Sequence, residues 1–555
     1  MSMHQFFKRR PVDPQVAQQL RTITIPAPTR GLIMSENDSF IQPGAALVLD
    51  NWKPTMKGLA LRGGCELWAQ LPETTPVVSM FQYITATVQK LFAGNATRLY
   101  DVTTKGVTPT LIKTGQASGN YCASQLSNDG GDYLTVVNEA GDYPLRFDGT
   151  AWTTLSTGQI HTDPALPVPP TCADGKNLSY VWKYRNRYFF IERNTMNAWY
   201  LPLNAIQGQL SMIPLSGSTT KGGKLIAGFS WSIDAGDGVD DKCVFMTDQG
   251  ELLIFTGSDP STATNWRQEG RYSTSPPLGM NAHTAIGGDV LIATVDGILP
   301  VSASVNKDVS QLALAAISRP IKPLWRKEVE FKRSLPWTMC KWDEYGGLFV
   351  TWPGGRVGNQ YCGVINIETG AWARFTGWDA MCFGRLYESM YFGTQLGAIM
   401  QADKTGRDNG QAYTATMVGG WEMFASQSST IVWRQARAAF TARPGELFQP
   451  QLSVTTDYVI TIPTPPAASP DPGPLDVWDE GLWATTPPEA EPTFQAKWDQ
   501  AASLIPTVRN TGWVSIGYTG FSHAPILQVT ISQFKPPEVE FISIAAIYEP
   551  CGVNV

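Results

Sequence analysis

A 555-residue chain with 43% apolar and only 16% charged residues can bury a large core, and none of its stretches approaches the ~18 apolar residues of a membrane-spanning helix. Forty-eight acidic against 42 basic residues leave a formal net charge of −6, which argues against sequence-specific binding of nucleic acid through a basic face. The eight cysteines are scattered with no C-x-x-C pair; this argues against zinc-ribbon and disulfide-scaffold classes and predicts free, mostly buried thiols in a chain folded in a reducing cytoplasm.

Fifty-one glycines, 40 prolines and 60 aromatic residues suit many short strands joined by tight turns, so the expected class is all-β. The opening arm, about Met1–Arg30, is polar and holds four prolines. It has no secretory h-region and no apolar face large enough to fold alone, so it is expected to become ordered by docking on a neighbour. Lys8, Arg9 and Arg10 are its basic cluster and are expected to touch a partner. Within it PVDPQVAQQLRT carries a helical period, as does Val309–Trp325, where Pro320 and Pro323 are expected to end any helix.

From Pro76 to Asp403 one pattern recurs: an alternating strand, a Gly-containing turn and a second strand, often closed by an aromatic. The turns fall near Asn95, at Asn138–Gly141, near Asn194, at Asp248–Gly250 and Asp296–Gly297, and near Gly346, Gly370 and Gly397. Asx-Gly pairs supply the positive φ that two-residue hairpins require. A spacing of ~45–55 residues is the period of four-stranded blades, which bury their faces only against each other and must close into a ring. The expected fold is therefore a β-propeller of about seven blades, with six and eight also compatible. It is followed by a C-terminal β-sandwich-like domain, in which SSTIVWRQARAAFTA and APILQVTIS alternate as strands do.

The resulting division is 1–75 for the arm and first strands docking on the propeller, 76–415 for the propeller, and 416–555 for the C-terminal domain. A Pro-rich, Trp-bearing insertion at 461–504 interrupts the last, with PTPPAASPDPGP expected to be extended and Trp478, Trp483 and Trp498 set among acids as candidate partner contacts.

The N-terminal half carries Leu49, Asn51, Trp52 and Pro54, then Arg62, Gly64, Trp68, Ala69 and Leu71, then Gln89–Ala93 and Leu99–Thr103. This arrangement resembles the tail nozzle, or tail hub, proteins of short-tailed bacteriophages, and VWDEGLWATT and TGWVSIGYTGFSHAPILQVTI resemble that family's late segments. The resemblance implies a non-enzymatic structural virion protein, assembled in the host cytoplasm as a homo-hexameric ring. It also implies a head-to-tail adaptor above the ring, tail fibres or spikes around it, and a lumen that retains and then passes DNA.

The residues themselves predict no catalytic, cofactor or metal site. His4, His161, His283 and His523 are far apart, and the H-E-x-x-H, G-x-S-x-G, Walker A and G-x-G-x-x-G patterns are missing. The enzymatic alternative is a propeller glycosidase, which needs two flanking carboxylates. Its nearest boxes, FDGTAW (Phe147–Trp152) and TVDGI (Thr294–Ile298), have the wrong spacing. IDAGDGVDD, with Asp234, Asp237, Asp240 and Asp241, fails the calcium-loop spacing, and DKTGRDNG (Asp403–Gly410) reads as a turn. A carbohydrate-binding, receptor-recognition role through Trp478 and Trp483 is the third class.

Overall fold

The computed structural model describes residues 20–34, 41–232, 241–262, 264–306, 309–355, 360–423, 429–443, 446–468 and 506–553. Strand makes up 52% of it and helix 6%. Seven strands surround one axis: Val77–Ile84, Tyr121–Asn128, Leu178–Tyr184, Leu225–Trp231, His283–Ile286, Met339–Trp342 and Cys382–Leu386. Each opens an antiparallel sheet, and the sheets are called blades I to VII in that order. Six have four strands in meander order and form the complete blades, while blade V, His283–Pro300, has three. Blade III adds Ile160–Thr162, parallel to Gly208–Pro214. The Asx and Gly turns at all eight sequence positions lie where hairpins or blade turns occur; Asn194 stands at φ 60° and Gly250 at 75°.

Blade VII takes its fourth strand from the start of the chain. Gly64–Gln70 pairs antiparallel with Ala398–Thr405, so the ring is closed by a segment more than 300 residues away in sequence. The apolar clusters lie between neighbouring blades: Phe349, Phe375, Trp378 and Phe392 between VI and VII, and Tyr83, Phe92, Leu134 and Phe147 between I and II.

The second domain is a β-sandwich. Its first sheet continues blade VI: the outer strand Trp372–Thr376 lies parallel to Ala46–Asp50, which is followed by Tyr413–Gly419, His523–Ile531 and Pro450–Thr456. Its second sheet is built on the long antiparallel pair Ser429–Ala442 and Val539–Val553. Trp52–Pro54 and Leu59–Leu61 extend that sheet on one side, and Arg21–Pro26 also pairs with Val539–Val553. Trp52, Phe440 and Phe541 face Met417, Leu527 and Val529 in a core that runs on into blades V and VI.

One expectation is corrected. Pro320 and Pro323 do not end the helical segment. Helices α1 (Val301–Asn306) and α2 (Val309–Ala315) are followed by α3 (Lys322–Lys332), and Pro323 stands in the first turn of α3. There its missing N–H falls on a donor with no partner in the helix, and its fixed φ favours initiation. Trp325 of α3 is fully buried, donates to Thr294 O at 3.1 Å and packs on Trp337, so the helices cover blade V beside its third strand.

Candidate functional site

Two places concentrate polar side chains. The first is the join between ring and sandwich. Asn51 lies between Ala46–Asp50 of one sandwich sheet and Trp52–Pro54 of the other, and its φ of 62° turns the chain across. Asparagine tolerates that left-handed conformation better than most residues. Its Nδ2 donates to Thr376 Oγ1 and Thr414 O, both at 2.7 Å, and its Oδ1 accepts from Thr376 N at 2.9 Å. The same oxygen accepts from Arg62 Nε at 2.8 Å.

Arg62 is fully buried, and all five of its N–H donors are engaged. Besides Asn51, it donates to Gly63 O, to Thr376 O, and to both carboxylate oxygens of Asp408 at 2.9 and 2.5 Å. Its guanidinium stacks over Tyr413 at 4.1 Å and faces Trp378 at 5.2 Å. Burial alone would weaken its hold on the proton, but Asp408 overrides this and raises its pKa. A second fork, Arg374 to Asp50 at 2.7 and 2.9 Å, ties the outer strand of blade VI to the sandwich.

The second place is the mouth at the end of the axis where the inner strands begin. Loops entering blades II to VI, together with hairpin turns of blades II, III and IV, converge there around a hollow of about 640 Å³. Arg193, Lys224 and Arg333 are its exposed cations. Glu139 accepts from Ser118 Oγ and Asn120 Nδ2, both at 2.9 Å, and Asp248 accepts from Lys224 N at 2.9 Å. Beside the mouth, on inner strands, Tyr180 Oη and His283 Nε2 share a hydrogen bond at 3.2 Å, with Phe229 5.0 Å from the imidazole. Desolvation there pushes His283 down to about 4, which keeps it neutral.

Other groups are shifted by burial or by their hydrogen bonds within the fold. Glu251, buried and held at about 2, accepts from the hydroxyls and backbone of Thr219–Lys221 against the opposing effect of burial. All eight cysteines are free thiols; burial raises Cys122 to about 11 and Cys340, Cys362 and Cys382 to about 12. Asp148 of the FDGTAW box caps its own turn by accepting from Thr150 N and Ala151 N, and Asp296 of TVDGI accepts from Ser275 Oγ. DKTGRDNG is more than the solvated turn its sequence suggests, because its half-buried Asp408 is the carboxylate partner of the buried Arg62. Lys8, Arg9, Arg10, Trp478, Trp483 and Trp498 lie outside the described residues, as do Asp234, Asp237 and Asp240. Among the described residues no group of three or more His, Cys, Asp or Glu is placed to hold a metal ion, and no helix is long and apolar enough to cross a membrane.

No known family profile matches the chain, and no curated protein does. Among solved structures, YCF48 bound to D1 peptide is similar at 14% identity and a TM-score of 0.36, covering 64% of this chain and 98% of that one. The Swd1 (Cps50) β-propeller domain of Myceliophthora thermophila is similar at 11% identity and a TM-score of 0.36, covering 61% and 99%.

Proposed function

We propose that this chain is a structural subunit of the tail nozzle, or hub, of a short-tailed bacteriophage. In this reading six copies form a ring below the head-to-tail adaptor, fibres or spikes attach around it, and packaged DNA is retained in, then ejected through, the shared lumen. The observation that carries the reading is where the family-like residues fall. Leu49, Asn51, Trp52 and Pro54 lie at the sheet switch of the sandwich, and Arg62 lies in the join with the ring. Gly64, Trp68 and Ala69 lie on the strand that closes blade VII. Gln89–Ala93 and Leu99–Asp101 lie in blade I, so the pattern spans the join, the closure of the ring and its first blade, places where a subunit of a particle needs a fixed frame.

A rigid join suits that task because packed, hydrogen-bonded interiors deform little. A weakly acidic chain also suits a lumen through which a polyanion must slide without sticking. The test is genetic and physical. Phage particles assembled without this chain should package DNA but release it before infection, and supplying the chain in trans should restore stable, infectious particles. Particles that lack it yet hold and deliver DNA normally would overturn the proposal.

A further inference from the structure

We infer that the free edge of the sandwich's second sheet is the docking site of the chain's own residues 469–505. That sheet ends on an irregular strand, made of Thr507–Asn510, Val514–Ser515 and Thr519–Gly520. It pairs antiparallel with Ser429–Ala442 and with no other strand among the described residues. Five of residues 508–521 are large, apolar and exposed: Val508, Trp513, Val514, Tyr518 and Phe521. Val508 is 65% and Tyr518 49% exposed, so nothing described covers them. Single apolar residues on a surface are ordinary. A row of them along an unpaired edge invites pairing with another chain, and proteins keep such edges covered. The exposed row continues onto Val459 and Ile462, because Asp457 accepts from Phe521 N at 2.8 Å and brings the two stretches together.

The path of the chain names the occupant. Asp457 bonds to Ser522 at the end of the edge where Gly520 faces Ile431, and Thr507 lies at the other end, opposite Ala442. At ~3.3 Å per residue those two ends are ~36 Å apart. The chain that leaves Asp457 must return to Thr507, so its net course follows this edge, opposite in direction to the strand 507–520. About a dozen extended residues would close that distance, and residues 469–505 alone are three times as many. The surplus has the composition of a cover. Trp478, Trp483, Phe494 and Trp498 supply large apolar faces, and seven carboxylates against one lysine supply the charge. The two strands that make the edge carry Arg434, Arg437 and Arg509 and no acid, so the signs match. Arg434 is already held by Glu549, while Arg437 lies over the Trp513 ring at 4.8 Å. A short tether keeps its two ends at an effective concentration on the order of mM, so contacts too weak to hold a separate partner are still occupied.

The inference does not rest on the tail reading, and its test needs only the purified full chain. A photoreactive benzoylphenylalanine is placed at Val508, an exposed position where a larger side chain meets no packed neighbour. Isotope-labelled and unlabelled chains are mixed, irradiated and digested, and the crosslinked peptides are read by mass spectrometry. Crosslinks should join position 508 to residues 469–505 within one chain, with no mixed-isotope pairs. Hydrogen exchange on the chain without the photoreactive group gives the second measurement. Trp478→Ala, Trp483→Ala and Trp498→Ala together should speed amide exchange across 507–520 at least ~10-fold. Exchange in Ser429–Ala442, the sheet's inner strand, should stay unchanged, which shows that the variant is folded. Mixed-isotope crosslinks would make a second copy the occupant and overturn the inference. So would the absence of any crosslink to 469–505, or exchange across 507–520 that is indifferent to the three tryptophans.

Discussion

Arg62 has no access to water, and Asp408 is the carboxylate that balances its charge. Removing one partner of such a pair leaves a buried ion unmatched, which costs ~3–5 kcal/mol. Asp408→Asn should therefore lower the unfolding free energy in urea by about that much. Asp50→Asn should cost less, because the Arg374–Asp50 pair keeps about a fifth of each side chain exposed. Equal losses would show that Arg62 is solvated in a way this geometry forbids. Gly297 stands at φ 148°, and a Cβ there would lie 2.6 Å from Ser318 Oγ and 3.0 Å from Ala316 Cβ. Gly297→Val should cost more than ~1 kcal/mol in the same assay, from backbone strain together with that crowding. Gly297 was legible in the sequence because Asp-Gly is a local turn signal. Asp408 was not, because it meets Arg62 across 346 residues, and only closure of the ring brings them together.

At the scale of elements the hairpins were readable for the same reason: strand alternation and turn chemistry are encoded within about 20 residues. Blade V shows where that ends. Its third strand, Gly297–Pro300, runs straight into helices, and Pro323 starts α3 where the sequence pattern suggested a stop. Proline's meaning depends on its place in the helix, and that place was set by Trp325 packing into the core beside Trp337. The sharing of strands between domains was equally invisible, since Gly64–Gln70 and Ala46–Asp50 alternate no differently from strands that pair locally. The inner strands of blades III, IV and V meet at His283, whose neutral form the fold favours. The unfolded chain therefore binds a proton below pH 6.5 that the folded chain refuses until about 4, and stability is lost as pH falls through that window. His283→Phe should flatten the urea midpoint between those pH values relative to wild type. An unchanged slope would place the imidazole in contact with solvent.

For the whole molecule, the ring and sandwich share a sheet, a sheet-switching asparagine and two arginine forks, so they should act as one body. Part of the arm expected to be ordered by a neighbour is instead a strand of its own chain's sandwich, which corrects that expectation for residues 21–26; residues 1–19 and 469–505 lie outside the described residues. Arg21–Pro26 pairs with Val539–Val553, so a truncation that tests the arm must stop before it. A chain lacking residues 1–19 should keep the wild-type strand signal in circular dichroism yet fail to assemble. Full-sized particles from that truncation would show that the arm holds nothing. The central claim, that this propeller is a ring subunit, is tested most directly by the mass of the purified native particle in light scattering or native mass spectrometry. The account predicts about six chains per particle; a stable monomer at working concentration, with or without enzymatic activity, would contradict it.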